Sequence, residues 1–242
     1  MFVARVRPFS DNETRRGGDM RYIRNLIDRR KVWKELPSYP VYSPPFHDAE
    51  NVLAKREIKA NYDYFLEQKA LRIEYLAEYL ASFSIALRLD LDGMKVLDGW
   101  LFRYGGHLLP WNWQLKTDFV IQALHDHEPA WTGAFQGLNV INDIGILVGD
   151  YIIARNPDVH WDVNYGNGTK RDYERIGFGK PCLYGLGHML SGEPYPILGT
   201  AEIYNYCDTV WSRLRGNSQN FWHQGELVRR LDYLVDKHSS TE

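Results

Sequence analysis

Four consecutive residues, His125-Asp126-His127-Glu128, gather two imidazoles and two carboxylates of the kind that hold a transition metal. On a helix, the three-residue spacing puts His125 and Glu128 on one face, whereas His125 and His127 diverge by roughly 200°. The run therefore lacks the HExxH arrangement in which two histidines four apart grip zinc. Next to Pro129 it also reads as a solvated helix end, where an imidazolium sits well against the C-terminal dipole. His125 and Glu128 are weak metal candidates, and a metal-dependent hydrolase using them with Asp143 or Asp150 is the alternative reading of the chain.

A second group, Asn139, Asn142, Asp143 and Asp150, interrupts an otherwise apolar helical pattern. Polar residues in such a setting mark either a site or an internal tie. Asn139 and Asp143 are four apart and share a face, and their expected use is to bind the N-terminal segment, whose arginines supply partners. Nucleophiles are scarcer. There is no GxSxG, Cys182 follows Pro181 in a strand-like run, and Cys207 occupies an apolar helical position. Pairing of either thiol with His160 or His188 stays open from the sequence, but buried, inert cysteines are the commoner case. Gly166-Asn167-Gly168 and Gly177-Phe178-Gly179-Lys180 match neither GxxxxGK[ST] nor a GxGxxG that opens a helix, and serve as turn or bulge signals.

The elements that must carry these residues follow from periodicity and punctuation. Residues 1–46 read as a basic, Pro-containing N-terminal arm, since Pro37, Pro40, Pro44 and Pro45 favour an extended strap packed across the rest. Asp48 is the expected N-cap of one long amphipathic helix in which Tyr62, Phe65, Leu66, Ala70, Ile73, Leu76, Leu80, Phe83 and Leu87 recur every three or four positions. A helix through Val96, Leu97, Trp100, Leu101 and Tyr104 is expected to stop at a left-handed Gly105-Gly106 cap, and a short one is expected over 118–125. Residues 135–155 are apolar over most of the helical circumference, which predicts a central helix whose Gly137, Gly145 and Gly149 admit close neighbours. Alternation then begins: Val159, Trp161, Val163 and Tyr165, followed by runs over 173–178 and 182–186, predict a small antiparallel β-meander near residues 159–187. Two more helices follow, on the Ile203–Leu214 and Phe221–Val235 patterns. The expected fold class is mainly α (α+β): a multi-helix bundle with one long N-terminal helix and a small meander, in a single domain over 1–242.

Composition bounds the function classes. With 44% hydrophobic and 25% charged residues, the chain can bury a sizeable core. Through Lys34, ten basic residues face four acidic ones, a net +6, so the remaining residues carry −8 of the overall −2. An acidic body with a basic leader suggests an internal clasp or a body suited to a basic partner, and this balance argues against nucleic-acid binding. Two cysteines without CxxC spacing fit a reducing compartment, and the absence of a signal-peptide-like start or a long apolar run predicts a cytoplasmic protein with no membrane partner. Trp and Tyr are abundant, at 8 and 16 residues, and suit both cores and contact surfaces.

The run GILVGDYIIARNPDVHWDV, residues 145–163, resembles a pattern found in small uncharacterised bacterial proteins, some of which are immunity proteins to secreted toxins. It covers less than a tenth of the chain, brings no catalytic residue and assigns no family. The resulting expectation is a soluble, non-enzymatic protein-binding protein of immunity or adaptor type, with no cofactor. Trp111, Trp113 and Trp131, flanked by Pro or Gly, are the expected partner-binding residues, and a homo-oligomer is a further possibility.

Overall fold

Six α-helices and a two-stranded sheet make up the regular structure among the described residues of the computed structural model, which are 11–48, 52–110, 129–165, 177–187, 196–215 and 223–236. The mainly helical class expected from the pattern is observed. Helix α1 spans Asp11–Glu35, so the leading segment is helical where an extended arm was expected. The helix-breaking prolines begin only at Pro37, and Val32 and Leu36 dock the end of the helix in the core. Only after a 3₁₀ turn over Leu36–Ser38 does the chain run extended, through residues 39–48.

Helix α2 (Lys55–Ala81) buries Ile58, Phe65, Arg72, Leu76, Tyr79 and Leu80, a single face at helical spacing. It starts later than Asp48: the Glu57 carboxylate accepts from the Ala54 N–H at 2.8 Å, so that a carboxylate three residues into the helix, and not Asp48, satisfies the first free donor. It also ends before Phe83, where Ser84 adopts a positive φ of 62°. Helix α3 (Leu91–Tyr104) is capped by Asp90, which accepts from Gly93 N–H at 2.8 Å. Gly105 is not the left-handed cap expected, because its φ of −53° carries the chain into a buried 3₁₀ turn over Gly105–Leu108.

Helix α4 (Gly137–Ile153) is buried from Gly137 through Gly149 and packs against α2, the Gly105–Leu108 turn, and helices α5 (Gly199–Leu214) and α6 (Glu226–Asp236). Its central position is the one its all-round hydrophobicity predicts. A Cβ on Gly145 would lie 2.7 Å from the Thr200 nitrogen, and one on Gly149 2.1 Å from the Trp161 ring, so both glycines are fixed by contact. The short helix expected over 118–125 lies outside the described residues.

Strands β1 (His160–Val163) and β2 (Pro181–Tyr184) pair antiparallel, His160 opposite Tyr184 and Val163 opposite Pro181, and a single bridge joins Leu183 to Ile197. The described part of the meander is thus two strands, with the run over 173–176 outside the described residues. One core cluster links Val32, Leu76, Trp100, Ile144, Leu183, Tyr204 and Leu231, joining every helix to the sheet. No helix among the described residues is long and apolar enough to cross a membrane.

Candidate functional site

Residues 39–48 have two prolines among their first six and no ladder of their own, so their polar backbone groups must find partners elsewhere. Side chains of α4 and of Gln136, the residue just before it, supply several of them. Gln136 Nε2 donates to Tyr39 O at 2.7 Å, and Asn139 Oδ1 accepts from Tyr42 N–H at 2.7 Å. Asn139 Nδ2 donates onward to Trp131 O at 2.8 Å, tying in the loop before α4.

Asp143 completes the row. Its Oδ2 accepts the Tyr39 hydroxyl at 2.5 Å, and Arg72 of α2 grips it with two bonds, Nε to Oδ1 at 2.9 Å and Nη2 to Oδ2 at 2.7 Å. Arg72 is 2% exposed and Asp143 fully buried. A third guanidinium bond, Nη1 to Pro40 O at 2.7 Å, ties the strap to the pair. Burial pushes the Asp143 carboxyl up to about 6, against the pull of Arg72, Tyr39 and Asn142, which favour the anion. The same burial, followed by the Asp143 charge, holds the Tyr39 hydroxyl well above its usual range, as suits a donor. The expectation that Asn139 and Asp143 fasten the strap is met, but with a correction: the arginine comes from α2, and the described arginines Arg24, Arg29 and Arg30 of the leading segment lie on α1, ahead of the strap.

In front of this network lies a cleft of about 70 Å³. Its walls are aromatic: Tyr42 and Phe46 from the strap, Phe65 from α2, Trp131 from the loop before α4 and Trp161 from β1. Asn142 and Thr200 give it a polar floor, Thr200 Oγ1 donating to Asn142 Oδ1 at 3.3 Å, and Asp48 and Lys180 add one charge of each sign to the lining. The walls are held from behind. Asn61 clamps Phe46 through both its backbone N–H (3.0 Å) and its carbonyl (2.9 Å). Asp150 accepts from Trp161 Nε1 at 2.8 Å and from Lys69 Nζ at 2.8 Å, and Tyr42 stacks on Trp131 with centroids 6.1 Å apart.

The sequence-predicted residues are therefore scattered. Trp131 lines the cleft with only 7% of its surface exposed, held in a wall and not raised on an open face. Trp111, Trp113, His125 and Glu128 lie outside the described residues, as does His188. Among the described residues, no three His, Cys, Asp or Glu side chains come together as a metal site would require. The carboxylates that a hydrolase would add are engaged, Asp143 with Arg72 and Asp150 with Lys69 and Trp161. Cys182 and Cys207 are buried in the core; burial pushes the Cys182 thiol up to about 12 and that of Cys207 up as well, so both stay protonated. His160 is exposed and stacks on Tyr184, whereas Cys182 sits opposite Asp162 in the ladder. Gly177 and Gly179 take positive φ values of 79° and 69° in the turn entering β2.

Arg72, Tyr39, Phe65 and Trp161 are the site residues that pattern reading missed. The signal for Arg72 was present: it lies seven residues after Phe65 and four before Leu76, a charge on the apolar stripe of an amphipathic helix. No family model, no curated protein and no solved structure matches this chain.

Proposed function

We propose that this chain is a non-enzymatic, protein-binding protein of immunity or adaptor type, and that the aromatic cleft between the strap and β1 receives a basic side chain of its partner. The observation that carries this reading is the convergence of five aromatic side chains on one small cleft whose polar floor, Asn142 and Thr200, is hydrogen-bonded within the fold. At about 70 Å³ the cleft is roughly half the size of a cavity that holds benzene, so it suits one protruding side chain better than a whole small-molecule substrate. Aromatic faces attract a guanidinium or ammonium, and the −8 balance beyond Lys34 favours capture of a basic partner. The resemblance of residues 145–163 to a pattern found in small uncharacterised bacterial proteins, some of which are immunity proteins, supports the same class.

The test is capture of partners on immobilised protein from native lysate, with Phe46→Lys as control, which removes an aromatic wall and repels a cation. Phe46 sits at the cleft rim and is partly exposed, so this change spares the core. A stoichiometric partner that is lost at high salt and absent from the Phe46→Lys resin supports the proposal. A blank, or a partner indifferent to Phe46, refutes it.

A further inference from the structure

Helix α6 is pinned at its start, and an apolar pocket opens behind its inner face. Asp98 of α3 accepts from Leu227 N–H and from the Tyr206 hydroxyl, both at 3.1 Å, and from Gly225 N–H, so the first turn of α6 is held on α3 and α5. Leu227, Leu231 and Leu234 recur at helical spacing and form the inner face. Leu227 and Leu231 reach the core, whereas Leu234 is only partly buried. Between this face and a wall that includes Val148 and Ile152 of α4 and Leu183 of β2 lies a pocket of about 350 Å³, with the exposed Tyr233 at its edge.

Volume and chemistry define the occupant. Protein interiors close-pack and leave few voids larger than a water molecule. This pocket is roughly twice the size of a cavity that takes up benzene and falls in the range of small-molecule sites, so it has room for about a dozen non-hydrogen atoms. Its inner wall is aliphatic, Val148, Ile152, Leu183 and Leu231 being at most 4% exposed. The charged and hydroxyl side chains of the lining are matched within the fold. Arg230 Nη1 pairs with Glu202 at 2.7 Å between α6 and α5, Arg229 Nε with Glu226 at 2.9 Å, and the Tyr206 hydroxyl is given to Asp98. With each guanidinium beside a carboxylate, the rim offers neither sign of charge in excess. A charged occupant would give up its water without gaining a counter-charge, whereas an apolar one exchanges water for an apolar wall.

We propose that the pocket between α6 and the wall of α4, α5 and β2 is a binding site for one small, uncharged, chiefly aliphatic molecule, which enters past Tyr233. The site is separate from the aromatic cleft and does not depend on what that cleft receives.

Titration of the full-length chain with N-phenyl-1-naphthylamine, a neutral apolar dye that brightens on leaving water, tests it. One dye per chain is expected, displaced by decanol at a concentration about tenfold or more below that needed of decanoate or decyltrimethylammonium. Leu234→Trp and Val148→Phe put bulk into the pocket, and each weakens dye binding about tenfold or more, with circular dichroism confirming the fold. Phe46→Lys, at the aromatic cleft, leaves it unchanged. Should a filled variant not fold, the methyl resonances of the wild type locate the decanol: those of Val148, Ile152 and Leu231 shift, and that of Ile58, in a separate small cluster, does not. No saturable dye binding, binding that both filled variants keep, or methyl shifts confined to other residues overturns the proposal. Decanoate displacing the dye as well as decanol does so too, by making Arg229 and Arg230 part of an anion site.

Discussion

Three buried carboxylates have distinct structural duties, and each predicts a different response to substitution. Asp98 accepts from Leu227 N–H and the Tyr206 hydroxyl, both at 3.1 Å, and so caps α6; Asp28 holds α1 to Arg103; Asp143 pins the strap. Removing Arg72 alone leaves the Asp143 anion without its counter-charge in the core, and Arg72→Ala should cost about 3–5 kcal/mol in urea unfolding. An Arg72→Met, Asp143→Leu double variant should recover most of that loss. His107 offers a pH test. Burial lowers its folded pKa to about 4, with Arg29 adding to the effect and Asp28 opposing it. Its unfolded value is about 6.5. The unfolded chain thus takes up a proton that the folded chain refuses, and stability is lost as pH falls from about 6.5 toward 4, by about 3 kcal/mol in full. Asp143 slopes the other way, since its raised folded pKa contributes stability at low pH that is lost as pH rises toward 6. Comparing wild type with His107→Phe across that window isolates the histidine: the difference in melting temperature should shift in the variant's favour on acidification. At about pH 8, iodoacetamide should leave both thiols unmodified in the native protein and label both in denaturant.

At the scale of elements, α4 tests packing against propensity. Gly145→Ala would gain about 1 kcal/mol from helix propensity, but the new methyl meets the backbone of Thr200 and Gly199. The net effect should be a loss of about 1–3 kcal/mol, read as a lower melting temperature. This helix was legible in the sequence because hydrophobicity all round a helix and repeated glycines have one common physical cause, burial against close neighbours. The helix through Leu76 was legible for its period, but not its start, since Asp48 is a preferred cap residue type while the chain uses Glu57 to meet the Ala54 N–H instead. Residues 11–35 were misread because the proline cluster coloured the segment before it. The strap network was half legible: Asn139 and Asp143 stood out on an apolar helix, whereas Arg72 lies 71 residues from Asp143, a distance over which spacing carries no information.

For the whole molecule, the strap and the aromatic cleft are one construction, because Tyr42 and Phe46 form its walls while Tyr39 and Pro40 are tied to Asp143 and Arg72 behind it. Tyr39→Phe should therefore weaken partner capture as well as cost about 1 kcal/mol of stability, the strap that carries two cleft walls losing a bond to Asp143, 104 residues away in sequence. The separation also has a consequence for synthesis. The strap leaves the ribosome about a hundred residues ahead of Gln136, Asn139 and Asp143, so its backbone waits hydrated while α2 and α3 are made. Nascent chains arrested short of α4 should expose Tyr39 to Phe46 to proteases and holding chaperones, and extension beyond Asp143 should close that window in a single cooperative step.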